Sequence, residues 1–203
     1  MLFRSFGLFF ANATTLYVAD EGSGIYSDIA ASQNPSTMHL SNGEEFAGLD
    51  KYSLVGGTWQ LDYVLNLGLN LGQSYAVSGT TPGGDSGTYT VESTDGLRDL
   101  TGKVNPDGTI SLYAITSTVS TNDDQGADPN KLVAINDTLS DTSASQVTGE
   151  SFTTLDTAAY GQVLRGVSFT PQAAPEPSTT ALLGFALLGG LAFAWKRKNA
   201  LKA

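Results

Sequence analysis

Few residues in this chain are of a type that could do chemistry. It holds one histidine, His39, and no cysteine. Thiol nucleophiles, disulfides and cysteine or paired-histidine metal sites are therefore excluded. Carboxylates are the abundant group. The stretch 121–130 places Asp123, Asp124 and Asp128 beside Asn122, Gln125, Gly126 and Asn130, an oxygen-rich set suited to calcium. Its spacing lacks the alternate acidic positions and distant glutamate of an EF-hand loop, so a solvated acidic loop with at most weak calcium binding is expected. Glu44, Glu45, Glu92 and Glu150 could supply a glycosidase acid pair, a chemistry that needs two carboxyls at a set separation. His39 reads as a surface residue beside Pro35-Ser36-Thr37-Met38, because no Gly-x-Ser-x-Gly elbow accompanies it. Arg165 stands among Val163, Val167 and Phe169 on an apolar face, where structural pairing with a carboxylate is expected. The expectation is no catalytic site, no resident metal and no cofactor.

Charge excludes another class of function. The 203 residues carry 20 acidic and 10 basic side chains, a net of −10. Four of the cations, Lys196, Arg197, Lys198 and Lys202, lie in the last eight positions, which leaves 6 cations against 20 anions, a net of −14, over residues 1–178. So acidic a surface repels phosphate backbones, and nucleic acid is not an expected partner.

The elements that must position any site are strands. From Ala13 to Pro171 the clear periodicity is two. Trp59, Leu61, Tyr63 and Leu65 alternate with Gln60 and Asp62, and Ile110, Leu112 and Ala114 alternate with Ser111 and Tyr113, each set predicted to share one face. The run Lys131-Leu132-Val133-Ala134-Ile135 fits a buried strand. Turn residues separate the runs at Val55-Gly56-Gly57, Pro82-Gly83-Gly84-Asp85 and Asn105-Pro106-Asp107-Gly108, the last a hairpin signal. The 23 glycines argue against long helices.

The C-terminus changes composition three times. Thr170 to Pro177 holds Pro171, Pro175 and Pro177, each locking its own φ and extending its predecessor. Ala181 to Trp195 is uncharged, and the seventeen residues from Thr179 would span roughly 25 Å as a helix, the short end of a membrane crossing. Lys196-Arg197-Lys198 then supplies a stop-transfer, positive-inside cluster with Trp195 at the interface. Pro175-Glu176-Pro177-Ser178, followed by this Leu/Gly/Ala segment and the basic cluster, resembles the PEP-CTERM sorting tail from Ala174 to Lys198. The resemblance implies export, transient inner-membrane anchoring as a precursor, recognition by the membrane enzyme exosortase, and delivery to the cell surface or an extracellular polysaccharide matrix.

The other end is less simple. Met1 to Ala13 offers Arg4, a short apolar run and an Ala-x-Ala end, but the run is briefer than a secretory core, so residues 1–12 read as an incomplete signal or a truncated strand, with a strand at Leu8-Phe9-Phe10-Ala11 preferred. Thr15-Leu16-Tyr17-Val18-Ala19-Asp20 echoes Ser111-Leu112-Tyr113-Ala114-Ile115-Thr116 at a separation of 96 residues, about two repeats of roughly 40 to 50 residues. Thr14 to Glu21, Leu49 to Ser53 leading into Thr58 to Leu61, and Asn130 to Asp137 resemble segments of bacterial surface β-propellers. The stretch from Ala13 to Pro171 is long enough for about three or four blades, short of the larger closed rings.

The sequence thus predicts an all-β chain of antiparallel meanders, a partial β-propeller, with one C-terminal transmembrane helix. Its divisions are 1–12, a β-rich exported domain at 13–171, a Pro-rich linker at 172–178, the helix and basic stop at 179–198, and a tail at 199–203. The expected function is that of a non-enzymatic surface or matrix protein whose partners are exosortase, the membrane and polysaccharide. The alternative is an exported propeller hydrolase or lyase with a loop-borne metal.

Overall fold

The computed structural model of the chain describes residues 5–22, 47–81, 83–91, 93–119 and 128–170. His39, Glu44, Glu45, Glu92, Asp123, Asp124 and all residues of the sorting tail lie outside them. One compact unit runs to Ser168, and of a second unit only Phe169 and Thr170 are described.

Among the described residues there are ten strands and one short 3-10 turn at Ala144–Gln146. The strands are β1 (Ser5–Asn12), β2 (Thr15–Asp20), β3 (Gly48–Val55), β4 (Thr58–Leu65), β5 (Tyr75–Thr80), β6 (Ser86–Val91), β7 (Ser93–Val104), β8 (Thr109–Val119), β9 (Lys131–Thr138) and β10 (Thr153–Thr157). They form a four-stranded meander β1-β2-β3-β4, a second meander β7-β8-β9-β10 and a hairpin β5-β6, each ladder antiparallel. The all-β, antiparallel reading holds. No propeller ring closes among the described residues, and no described helix is long and apolar enough to cross a membrane.

The turns follow their residues. Gly56 and Gly57, at φ 60° and 84°, make the two-residue β3-β4 connection, a geometry with both central φ positive that L side chains resist. Between β7 and β8, Gly108 donates to the Asn105 carbonyl at 3.2 Å and Asn105 to the Thr109 carbonyl at 2.9 Å, the hairpin that Asn105-Pro106-Asp107-Gly108 signals.

The two meanders share one core. Tyr17, Leu49, Tyr63 and Leu65 of the first sheet are buried in one cluster with Leu97, Leu100, Ile110, Leu112, Val133 and Ile135 of the second. The sheets approach closely where β1 meets β7. A Cβ on Gly7 would lie 2.6 Å from the Leu100 backbone nitrogen, and one on Gly102 would lie 2.8 Å from both Leu112 and the Phe9 ring. β7 bends there: Arg98 pairs with Ile115 and Leu100 with Ala114, leaving Asp99 as an extra residue at φ 57°.

Three sequence expectations change in the structure. β4 does not keep one face: Lys51 pairs with Tyr63 but Tyr52 with Leu61, so Asp62 is a bulge residue. Tyr63 and Leu65 face the core, whereas Trp59 lines the opposite face. Strict period two overlooked the extra residue. β9 is buried on one side only, through Val133, Ile135 and Asp137, because the sandwich has two layers and no third to cover Leu132 and Ala134. Arg165 lies exposed outside any strand, since residues 162–170 pair with no ladder, so it is not part of an apolar face.

The close β1–β7 approach generates a test. Gly7→Ala is expected to destabilise the fold by about 1–3 kcal/mol, the cost of overpacking. Gly149, which has open space around it, is expected to tolerate alanine within about 0.5 kcal/mol. Denaturant melts of the two variants check the difference, and equal stabilities would refute the packing account.

Candidate functional site

Two groups of polar side chains are organised by the first sheet, one on each face. On the inner face Tyr17, Lys51 and Tyr63 are direct cross-strand neighbours on β2, β3 and β4. Lys51 is fully buried, and its Nζ lies 3.0 Å from Asp137 Oδ2 on β9, which is also fully buried at its side chain. The ammonium also donates to Tyr63 Oη and to the Thr138 carbonyl, each at 2.8 Å. Tyr63 Oη donates onward to Asp137 at 2.8 Å, and Tyr17 Oη donates to Asp137 Oδ2. Burial and the Asp137 carboxylate push both phenols well above their ordinary value, so each stays a donor. The Lys51 ammonium also lies 5.5 and 5.1 Å from the centroids of the two rings.

Glu150 and Asp141 complete this end of the sandwich. With Asp137 they form a group of carboxylates whose oxygens lie within 4.8 Å of one another. Burial, and then the Asp137 carboxylate, push the Glu150 carboxyl up to about 8. A proton on Glu150 relieves three carboxylates facing one ammonium. Calcium takes six to eight oxygens, whereas Asp137 is already committed to Lys51 and two phenols. The arrangement holds a proton and ties two sheets together. Asp137 has no exposed surface through which a substrate could reach it.

On the outer face, Leu8 of β1, Leu16, Val18 and Asp20 of β2, Asp50 and Tyr52 of β3 and Trp59 of β4 line a cleft of about 220 Å³. The register explains the set. Leu8, Val18 and Asp50 form one row across three strands, and Phe10, Leu16 and Tyr52 form the next. Phe10 meets Trp59 edge-on with ring centroids 6.0 Å apart. Asp50 is 4% exposed; Tyr52 Oη donates to its Oδ2 at 3.3 Å, and its buried Oδ1 has no hydrogen-bond partner. Burial, and then the neighbouring Asp20 carboxylate, push the Asp50 carboxyl up to about 8.

Of the calcium candidates only Asp128 is described. It is buried and accepts from Tyr89 Oη at 2.8 Å, while Tyr75 Oη donates to the Pro129 carbonyl at 2.6 Å. Asp128 thus receives the β5-β6 hairpin onto the loop before β9. Glu150 sits with Asp137 and Asp141, while Glu44, Glu45 and Glu92, the other candidates for an acid pair, lie outside the described residues. The inner network had a signal in the sequence: Lys51 stands two residues from Leu49, and Asp137 two from Ile135, both at core-facing parity. A charge at an inward position of an apolar strand requires a partner across the core.

The comparisons with known proteins concern the tail. The family model of the PEP-CTERM protein-sorting motif matches residues 173–198, which brings Pro175, Glu176, Pro177, Ser178, Lys196, Arg197 and Lys198 inside one motif. No curated protein and no solved structure matches the chain. The motif fits a protein sorted by exosortase to the cell surface, and it implies export and a surface or extracellular location.

Two outcomes follow from the geometry. Lys51→Met strands the Asp137 carboxylate and is expected to cost about 3–5 kcal/mol, while Lys51→Met combined with Asp137→Leu is expected to cost far less than the two singles together; additive losses in denaturant melts would remove the pair from its bridging role. For Asp50, which faces Asp20 and Tyr52, the folded state keeps a proton that the unfolded chain releases near pH 4. Stability is therefore expected to fall as pH rises from about 4 to 8, by up to about 1.4 kcal/mol per unit for this one group, and to level off above. Asp50→Asn should flatten that slope, and an unchanged slope would show that Asp50 does not carry it.

Proposed function

We propose that the chain is a non-enzymatic display protein: an acidic β-sandwich carried to the cell surface or extracellular matrix by its C-terminal tail. The observation that carries the reading is the sorting motif at residues 173–198. In this account Pro175-Glu176-Pro177-Ser178 is the element exosortase reads, residues 179–198 are the transmembrane helix of an inner-membrane precursor, and Lys196-Arg197-Lys198 is the stop that orients it. Enzyme and membrane are the partners of the precursor. Hydrated polysaccharide is the partner of the mature protein, supported by the excess of 20 anions over 6 cations before the tail.

Absence of catalysis is supported by how the described carboxylates are used. Asp137 is held by Lys51 and two phenols, and Asp128 by Tyr89. The second reading, an exported hydrolase or lyase with a metal, has one observation in its favour, the Asp137, Asp141 and Glu150 group. The partial-propeller account rests on connectivity alone: the two larger sheets are four-stranded meanders, the unit of a blade, and the third is the hairpin β5-β6.

Address and anchor separate by mutation. In a host with exosortase, Glu176→Ala or Pro177→Ala is expected to block processing and leave the protein in the membrane fraction. Replacing Lys196, Arg197 and Lys198 together with glutamate removes roughly 1 kcal/mol of surface attraction per cation and should instead cause leakage or misinsertion. Fractionation with mass spectrometry of the C-terminus reads both. Wild type retaining residues 178–203 at the surface, indistinguishable from the Glu176 and Pro177 variants, would replace sorting by a plain single-span anchor.

A further inference from the structure

We propose that the cleft on the outer face of the first sheet binds a small organic cation, one ammonium or guanidinium group on an apolar body, with Asp50 and Asp20 taking the charge and Trp59 flanking the body. The floor is the reason for the apolar body. Leu16 and Val18 lie between Leu8 on one side and Asp50 and Tyr52 on the other, and Leu8 and Phe10 are each 58% exposed. Exposed apolar surface gathered into a concavity marks a binding site more often than scattered apolar residues do.

The carboxylates are the reason for the charge. Asp20 and Asp50 stand on adjacent strands of the same face, with Val18 opposite Asp50 and Asp20 opposite Gly48, which has no side chain to separate them. Asp20 Oδ1 accepts from the Gly22 backbone at 2.8 Å. Asp50 is 4% exposed and lines the cleft with a buried Oδ1 that no donor reaches. A buried acceptor without a donor is costly, and a charged donor entering the cleft removes that cost. A cation also relieves the repulsion between the two carboxylates that raises the Asp50 carboxyl.

Other ligand classes fit less well. An anion meets two carboxylates. A divalent metal needs six or more oxygens, and the aliphatic floor supplies none. A neutral polyol would cover Leu8, Leu16 and Val18 without donors or acceptors to meet its hydroxyls. Trp59, opposite Leu54 and away from Asp50 along the strands, supplies an aromatic wall for the apolar body. The net of −14 over residues 1–178 steers cations to the whole unit. The cleft, about 220 Å³, admits one small molecule, and that is the occupant meant here.

The test uses the full chain carrying Trp195→Phe, which leaves Trp59 as its sole indole. Titration with 2-phenylethylammonium just above pH 8, where Asp50 gives up the proton it otherwise keeps and the probe stays charged, is expected to change Trp59 emission saturably, and 2-phenylethanol, the neutral analogue, to bind at least about tenfold more weakly, the worth of one charged hydrogen bond. Asp50→Asn should lower the affinity for the ammonium by at least about tenfold and leave the alcohol unchanged. Leu8→Lys, at an exposed position in the row of Asp50, places a tethered ammonium in the cleft and should abolish probe binding. Equal affinities for ammonium and alcohol, no saturable change in wild type, or undiminished binding in either variant would each overturn the proposal. Should Asp50→Asn lose its strand signal in circular dichroism, Leu8→Lys decides alone. Exosortase plays no part in the readout, so failure of sorting and failure of this site are seen separately.

Discussion

The interaction on which the described sandwich depends is a lysine ammonium held between two sheets. Lys51 belongs to the first sheet and Asp137 to the second, both fully buried. Two charges withdrawn from water cost several kcal/mol each unless every lone pair and proton is met. Here they are met. The ammonium reaches Asp137, Tyr63 and the Thr138 carbonyl, and Asp137 receives Tyr17 and Tyr63 as well. Apolar contacts alone would allow the two faces to slide; a directional network permits one placement of β3 over β9. The apolar residues of both sheets then fill the space that this placement defines.

The same interaction explains why the end of the sandwich near β9 holds a proton. Asp137 repels any second carboxylate, and the chain brings it two, Asp141 and Glu150. One ammonium cannot compensate three charges. The Glu150 carboxyl is pushed up instead, which converts a repulsion into a shared proton without changing the fold. An acidic chain can therefore fold tightly at neutral pH because some of its carboxyls remain neutral inside.

Much of the strand content was legible because it rests on period two and on turn chemistry, both local. Ile110, Leu112 and Ala114 are buried as their alternation predicts, and Asn105 to Gly108 turns where its residues require. What was not legible depends on one residue of register. A bulge at Asp62 returns Tyr63 to the core and sends Trp59 outward, although the sequence alternates without a break. The echo between Thr15 to Asp20 and Ser111 to Thr116 illustrates the same limit. Both fall on the second strand of a four-stranded meander, yet Leu16 lines the outer cleft while Leu112 lies in the core. Similar strings occupy similar strands with opposite facing. The tail was legible for the opposite reason: proline, apolar and basic blocks carry their meaning in order and composition, and no long-range register is needed to read them.

These two kinds of legibility assign the functions of the chain to different parts of it. The matched motif covers residues 173–198 and concerns only where the protein goes. A sorting tail read by a membrane enzyme places no demand on the cargo beyond export, so what the cargo binds is a separate question. The inner faces of the two sheets are committed to each other through the Lys51 network. The second sheet presents Ser111 and Asn136 outward, joined to each other by a hydrogen bond at 2.8 Å. The first sheet presents Leu8, Phe10 and Trp59 outward, next to a carboxylate oxygen buried without a donor. The first sheet therefore meets water with an apolar concavity beside an acceptor that no donor reaches. That is the face on which we place the proposed cation site.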